Sequence, residues 1–152
     1  KTRWPEIVLE VLGDGPEESR LKELARKLGI EQSVKFRGRV SEEQSRAIFA
    51  CSTIFVLNTN YEGLPHSVLN AFSCGLPVIT TPVGGNVEVV QDGVNGLLAP
   101  YNDEPAWFEA ISRLLADETL QQKFIGNGKR TLENFRWDKL VEQTVEVIKE
   151  LK

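Results

Sequence analysis

The sequence has little of what binds metals or crosses membranes. Its 152 residues include one histidine, His66, and two cysteines, Cys51 and Cys74. Neither cysteine has a metal ligand at the usual spacing, and both stand in apolar stretches. No metal site is expected, and the thiols read as buried and reduced, as in a cytoplasmic protein. No apolar run approaches the roughly 20 residues needed to span a bilayer, and Lys1-Thr2-Arg3-Trp4-Pro5 is not followed by a signal-peptide core. The expected location is therefore cytoplasmic, with neither secretion nor insertion. Excess positive charge is lacking too. With 18 basic and 22 acidic residues the formal charge is −4, which argues against a nucleic-acid surface and a polybasic membrane patch. Internal repeats, low-complexity tracts and linker-like composition are absent, so residues 1–152 are expected to form a single domain. At 41% hydrophobic residues, a chain of this length can bury a proper core.

What is present is an alternation of short apolar strands and amphipathic helices. Ile7 to Leu12 reads as a buried strand closed by Gly13-Asp14-Gly15-Pro16. From Glu17 to Leu28, Leu21, Leu24, Ala25 and Leu28 fall at helical spacing and predict one core-facing stripe, which Gly29 stops. Val34-Lys35-Phe36 alternates as a strand, and Ser41 with Gln44 forms a capping box at the start of the next helix. Thr53 to Leu57 is a further strand, Ser67 to Cys74 a short helix, Pro77 to Thr80 a strand, Val87 to Val90 a helical turn, and Asn95 to Ala99 a last strand. Glu104 to Leu115, Thr119 to Phe135 and Trp137 to Leu151 then carry helical periodicity without interruption. The pattern predicts an α/β fold, Rossmann-like, with a parallel sheet covered by helices on both faces and a helical C-terminal tail.

In such sheets ligands bind beyond the carboxyl ends of the strands, where helix N-termini present unpaired N–H groups. The loop after Thr53–Leu57 is Asn58-Thr59-Asn60-Tyr61-Glu62-Gly63-Leu64-Pro65, and it feeds a helix beginning near His66. Gly63 lets backbone approach a ligand, and the first helical turn favours an anion such as phosphate. Glu62 would accept hydroxyl hydrogen bonds beside that anion. Asn70 lies on about the same helical face as His66 and Cys74. Its apolar neighbours Val68, Leu69, Ala71 and Phe72 imply that its amide needs a partner. Thr80-Thr81-Pro82-Val83-Gly84-Gly85-Asn86 brings a second glycine-bearing loop to the same sheet edge, with Glu88 close behind.

The ordered series Val11-Leu12-Gly13-Asp14-Gly15-Pro16, Val34-Lys35-Phe36-Arg37-Gly38-Arg39-Val40, Tyr61-Glu62-Gly63-Leu64-Pro65 and Asn70-Ala71-Phe72-Ser73-Cys74-Gly75-Leu76-Pro77-Val78 resembles the second domain of the family 4 retaining glycosyltransferases. So do the segments that follow it: Gly84-Gly85, Glu88-Val89-Val90, Asp92-Gly93, Asn95-Gly96-Leu97-Leu98 and Phe135-Arg136-Trp137. The resemblance covers nearly the whole chain. It implies one half of a GT-B fold, the half that binds the nucleotide sugar, here a UDP- or GDP-sugar, for retaining transfer without a cofactor or metal. Polysaccharide or glycoconjugate synthesis is the implied setting, with an acceptor glycan or lipid held by an N-terminal domain and the full-length enzyme cytoplasmic or peripheral to the membrane.

Glu62 matches the first glutamate of the family's Glu-x7-Glu motif, which the resemblance places beside the transferred sugar as the catalytic residue. Asn70 stands at the second position, where the family typically has a glutamate that receives the ribose hydroxyls. A neutral hydrogen bond there is worth roughly 0.5–1.5 kcal/mol, against roughly 1.5–3 for one to a charged group. By the same resemblance the backbone amides of Gly63, Leu64, His66 and Ser67 are donor-binding groups, and Arg39 and Val40 match base-contacting positions. His66 as a general base is disfavoured, because a lone histidine without an orienting partner is more often a cap or packing residue. The family's domain opens with another strand-loop-helix unit carrying an arginine and a lysine that clamp the diphosphate, and Lys1 and Arg3 do not match them. The isolated chain is therefore expected to bind donor weakly and to transfer nothing. An exposed sheet edge is expected to favour self-association. Two other functions compete: a non-catalytic sugar-nucleotide or protein-interaction module, and, more remotely, half of a nucleotide-sugar epimerase.

Overall fold

The computed structural model describes residues 4–150. The chain forms two compact units, divided in sequence between Ile48 and Phe49.

In the first unit, β1 (Leu9–Val11) and β2 (Val34–Phe36) pair in parallel, with Leu9 opposite Val34 and Val11 opposite Phe36. Between them run α1 (Glu18–Lys27) and a 3-10 turn at Glu31–Ser33. The first strand is shorter than Ile7–Leu12 because the Ile7 amide closes a turn onto the Trp4 carbonyl at 3.2 Å instead of joining a ladder. The predicted core stripe of α1 is a correction: only Ala25 is buried, while Leu21, Leu24 and Leu28 are exposed. A two-stranded ladder is too narrow a platform to cover four positions of a helix. Across the two strands the Arg37 guanidinium grips the Glu10 carboxylate at 2.6 and 3.1 Å, with Lys35 at 3.7 Å. α2 (Glu42–Ala50) begins with the capping box predicted for it. Gln44 N donates to Ser41 Oγ at 3.2 Å, and Ser41 N to Gln44 Oε1 at 2.8 Å.

The second unit contains β3 (Phe55–Leu57), α3 (His66–Ser73), β4 (Val78–Thr80), α4 (Asn86–Val89) and β5 (Gly96–Leu98), followed by α5 (Glu104–Ala116), α6 (Glu118–Leu132), a 3-10 turn at Glu133–Phe135 and α7 (Trp137–Glu150). The three strands are parallel in the order β3-β4-β5, with Phe55 opposite Val78 and Val78 opposite Gly96. The strands thus form two ladders, one in each unit. Successive strand residues point to opposite faces, and Val78, Ile79 and Thr80 are all fully buried, so β4 is covered on both sides. On one side Ile79 and Leu97 pack with Leu114, Leu120 and Phe124. α6 starts a residue earlier than predicted because Asp117 caps it, accepting from Leu120 N at 2.8 Å. Both cysteines are free, and neither is buried as predicted. Cys51 is exposed in the turn after α2 and Cys74 is half-buried at the end of α3, each having left the apolar stretch that suggested burial. Among the described residues no helix is long and apolar enough to cross a membrane.

α3 meets α6 where Phe72, almost wholly buried, lies against Gly128. A Cβ at Gly128 would stand 2.6 Å from the Phe72 ring, whereas one at Gly126 would meet nothing within 4 Å. Gly126→Ala should therefore stabilise the protein by up to about 1 kcal/mol through helix propensity. Gly128→Ala should instead destabilise it by about 1–3 kcal/mol through overpacking. Urea denaturation of both variants checks the pair, and a stabilised Gly128→Ala would contradict the packing described.

Arg37, hydrogen-bonded to Glu10, holds that carboxyl below the ordinary glutamate range. A group depressed in the folded state contributes stability above its unfolded pKa of about 4.3, and that contribution is lost as pH falls through the lower folded value. An acid titration of stability should accordingly flatten below about pH 4.3 in Glu10→Gln relative to the native chain.

Candidate functional site

The loop from Asn58 to Pro65 leaves the carboxyl end of β3 and is tied to the loops after β4 and β5. At its root, Asn58 Nδ2 donates to Asn102 Oδ1 at 3.0 Å, and the Asn102 amide donates back to Asn58 Oδ1 at 3.2 Å. Asn102 sits at φ 55°, a left-handed conformation that asparagine tolerates better than most residues. One residue further on, Thr81 Oγ1 donates to the Thr59 carbonyl at 2.6 Å. At its far end the Gly85 amide donates to the Glu62 carbonyl at 3.0 Å.

That last approach is closer than any side chain permits. A Cβ on Gly84 would lie 2.0 Å from the Glu62 oxygen, and one on Gly85 would lie 1.7 Å from the Gly63 oxygen. Gly84 also has φ +48°, where residues with a Cβ are strained. Pro65, fully buried, packs on the same step, its Cδ 3.3 Å from the position a Gly85 Cβ would take. The backbone on both sides of Glu62 is thereby fixed, while its side chain stays half-buried.

Pro65 is the N-cap of α3, and no side chain caps this helix. The Leu69 amide bonds the Pro65 carbonyl at 3.1 Å, and the His66 amide folds back onto the Leu64 carbonyl at 2.8 Å. His66 N–H, expected among the free donors, is thus engaged. Among the described residues the amides of Gly63, Leu64, Ser67 and Val68 donate to no protein group. Unpaired donors, the positive end of the helix dipole and the Glu62 carboxylate in the loop just before them together suit an anion flanked by hydroxyl groups.

The remaining predicted residues divide between the two units. Ser67 is half-buried beside the free amides, and His66 and Asn70 share the exposed face of α3. Among the described residues no protein group partners the Asn70 side chain, against the inference from its apolar neighbours. Val68, Ala71 and Phe72 turn into the core, while the 100° step of the helix carries Asn70 to the open side. Its amide is free for water or a ligand. Arg39 and Val40 belong to the first unit, in the loop between β2 and α2, where Arg39 Nε pairs with Asp14 Oδ1 at 3.0 Å. Glu88 is exposed on α4 and lines a separate cavity of about 520 Å³ with Gln91, Asn134 and Phe135. Among the described residues no group of three or more His, Cys, Asp or Glu side chains could hold a metal ion.

Sequence reasoning missed Thr81 and Asn86. Both are fully buried, and Asn86 Nδ2 donates to the Thr81 carbonyl at 3.1 Å and to Thr81 Oγ1 at 3.3 Å. The available signal was a pair of polar residues, one on each side of the two glycines, in the loop that follows the buried strand β4.

Known proteins share the sequence pattern and the fold of this chain. The profile of the family described as glycosyl transferases group 1 matches residues 1–131. The lipopolysaccharide core biosynthesis glycosyltransferase LpsE of Rhizobium meliloti is 32% identical over 130 residues, covering 86% of this chain and 38% of its own length. Sucrose-phosphate synthase from Thermosynechococcus elongatus superposes with a TM-score of 0.85 at 26% identity, over 98% of this chain and 39% of that one. HepE from Anabaena, solved in complex with UDP, gives 0.80 at 25% identity over 96% and 42%. The chain thus spans less than half the length of each of these proteins. The solved neighbours are GT-B enzymes, and the α/β architecture is that of their C-terminal domains.

Because an added Cβ at Gly85 meets backbone rather than a yielding side chain, Gly85→Ala must shift Gly63 or the loop that carries it. A loss of at least about 2 kcal/mol is expected, read as a lower midpoint in thermal or urea denaturation. A variant as stable as the native chain would show that the two loops are not in contact.

Proposed function

Since the chain belongs to the group 1 glycosyl transferases, we propose that the segment from Glu62 to Asn70 is the donor edge of a retaining glycosyltransferase that uses a UDP- or GDP-sugar. The observation that carries this reading is the uncapped start of α3, with unpaired amides at Gly63, Leu64 and Ser67 directly after a glutamate whose backbone is fixed. Those amides and the helix dipole hold the phosphate next to the sugar. Glu62 accepts hydrogen bonds from sugar hydroxyls and so orients the anomeric carbon. Asn70, about one turn along the exposed face of α3, receives the ribose hydroxyls.

The chemistry is a displacement on one face. The bond from the anomeric carbon to the phosphate oxygen breaks, the acceptor hydroxyl oxygen bonds to the same face of that carbon, and its proton passes to the departing phosphate oxygen. The protein contributes position and electrostatic support, and no metal is needed for it. The acceptor, a glycan or lipid, is held by the part of a full-length enzyme that this chain does not span.

Calorimetric titration with UDP, GDP and ADP and with the matching nucleotide sugars tests the assignment. Glu62→Ala should weaken the nucleotide sugar by about tenfold and leave the bare diphosphate unchanged, because a charge-assisted hydrogen bond is worth roughly 1.5–3 kcal/mol and Glu62 meets only the sugar. Asn70→Glu should tighten both ligands severalfold. Absence of binding to every nucleotide would sink the donor site in favour of an interaction module.

A further inference from the structure

We propose that Thr81 is the positioning residue of the donor site, fixing the loop that presents Glu62 without itself touching the donor; the proposal rests on the donor-site reading above. A threonine hydroxyl has one proton to give, and Thr81 gives it to the Thr59 carbonyl at 2.6 Å. What fixes that direction is Asn86, whose Nδ2 fills an acceptor site of the same hydroxyl at 3.3 Å and holds the Thr81 carbonyl at 3.1 Å. The constraint continues along the loop, where Thr59 Oγ1 donates to the Tyr61 carbonyl at 2.7 Å, next to Glu62.

Stability alone does not account for this network. Asn86 is fully buried, and its Oδ1 has no partner among the described residues, an arrangement that costs stability. What the residue gains is a fixed amide, and that amide is spent entirely on Thr81. A comparable pair elsewhere shows the contrast. Asn95 Nδ2 bonds Thr131 Oγ1 at 2.9 Å and the Val89 carbonyl at 2.9 Å, while Asn95 Oδ1 accepts from the Gln91 amide at 2.8 Å. That asparagine has every group satisfied and holds no loop of the donor edge.

The test compares Thr81→Val, Thr81→Ser and Thr131→Val in the full chain by amide hydrogen exchange in the 58–65 loop, read at the Tyr61 amide that donates to Thr59 Oγ1 at 3.3 Å, and by affinity for the nucleotide sugar that the native chain binds. Thr81→Val should speed exchange in that loop by about tenfold and weaken the nucleotide sugar by about five- to tenfold, the loss of one well-placed hydrogen bond. Thr81→Ser, which keeps the hydroxyl, should restore both. Thr131→Val should lower the melting temperature by a similar amount and change neither readout. If Thr81→Val does not fold, Thr81→Ala replaces it with a smaller side chain. Native exchange in the loop of the Thr81 variant, or equal acceleration by Thr131→Val, would overturn the proposal. Should the native chain bind no nucleotide sugar, the donor-site reading fails while the exchange comparison still decides the role of Thr81.

Discussion

The second unit depends on a contact between two stretches of bare backbone. Gly84 and Gly85 lie so close to the carbonyls of Glu62 and Gly63 that a methyl group at either position would overlap them. Such a contact can form only where both glycines are present, the strand register is fixed and the helices hold the loops at the right height. Once formed, it turns a surface loop into a rigid ledge. The Gly85 amide bond to the Glu62 carbonyl and the burial of Pro65 against the same step then follow.

The ledge matters because of what it leaves unpaired. A helix N-terminus in solution is ordinarily capped by a side chain, yet α3 begins at a proline with no side-chain cap. The proline sets the backbone angle of the N-cap but cannot satisfy the donors ahead of it. Those donors face the same edge as Glu62, whose own backbone is already committed. Rigidity and unmet hydrogen-bonding capacity thus coincide on one segment, a combination that suits catalysis by positioning.

The two units differ in how far their helices are covered. The second has a core of Ile79, Leu97, Leu114 and Phe124 between the sheet and its helices. In the first, Arg37 holds Glu10 across the two strands, and much of the apolar stripe of α1 stays exposed. Acid weakens the contact between Arg37 and Glu10 directly, because protonating a carboxylate removes its partner's charge-assisted bond.

Periodicity and caps were local, so the sequence could state them: the order of strands and helices, the Ser41–Gln44 box, and the helix that starts at His66. The resemblance carried by Glu62, Gly84-Gly85 and their neighbours was legible for the same reason, as motifs are contiguous. Strand ends, the division into two ladders, the exposure of Leu21, Leu24 and Leu28, and the outward turn of Asn70 were not, because each depends on what lies across space. The same is true of Thr81 and Asn86. By itself the sequence determined the order of the elements and the chemistry carried by the loop from Asn58 to Pro65, since residue type and spacing fix local backbone. Tertiary structure decided which of that loop's groups are held and which are left free, because a hydrogen bond between Thr81 and Thr59 exists only once β3 and β4 lie side by side.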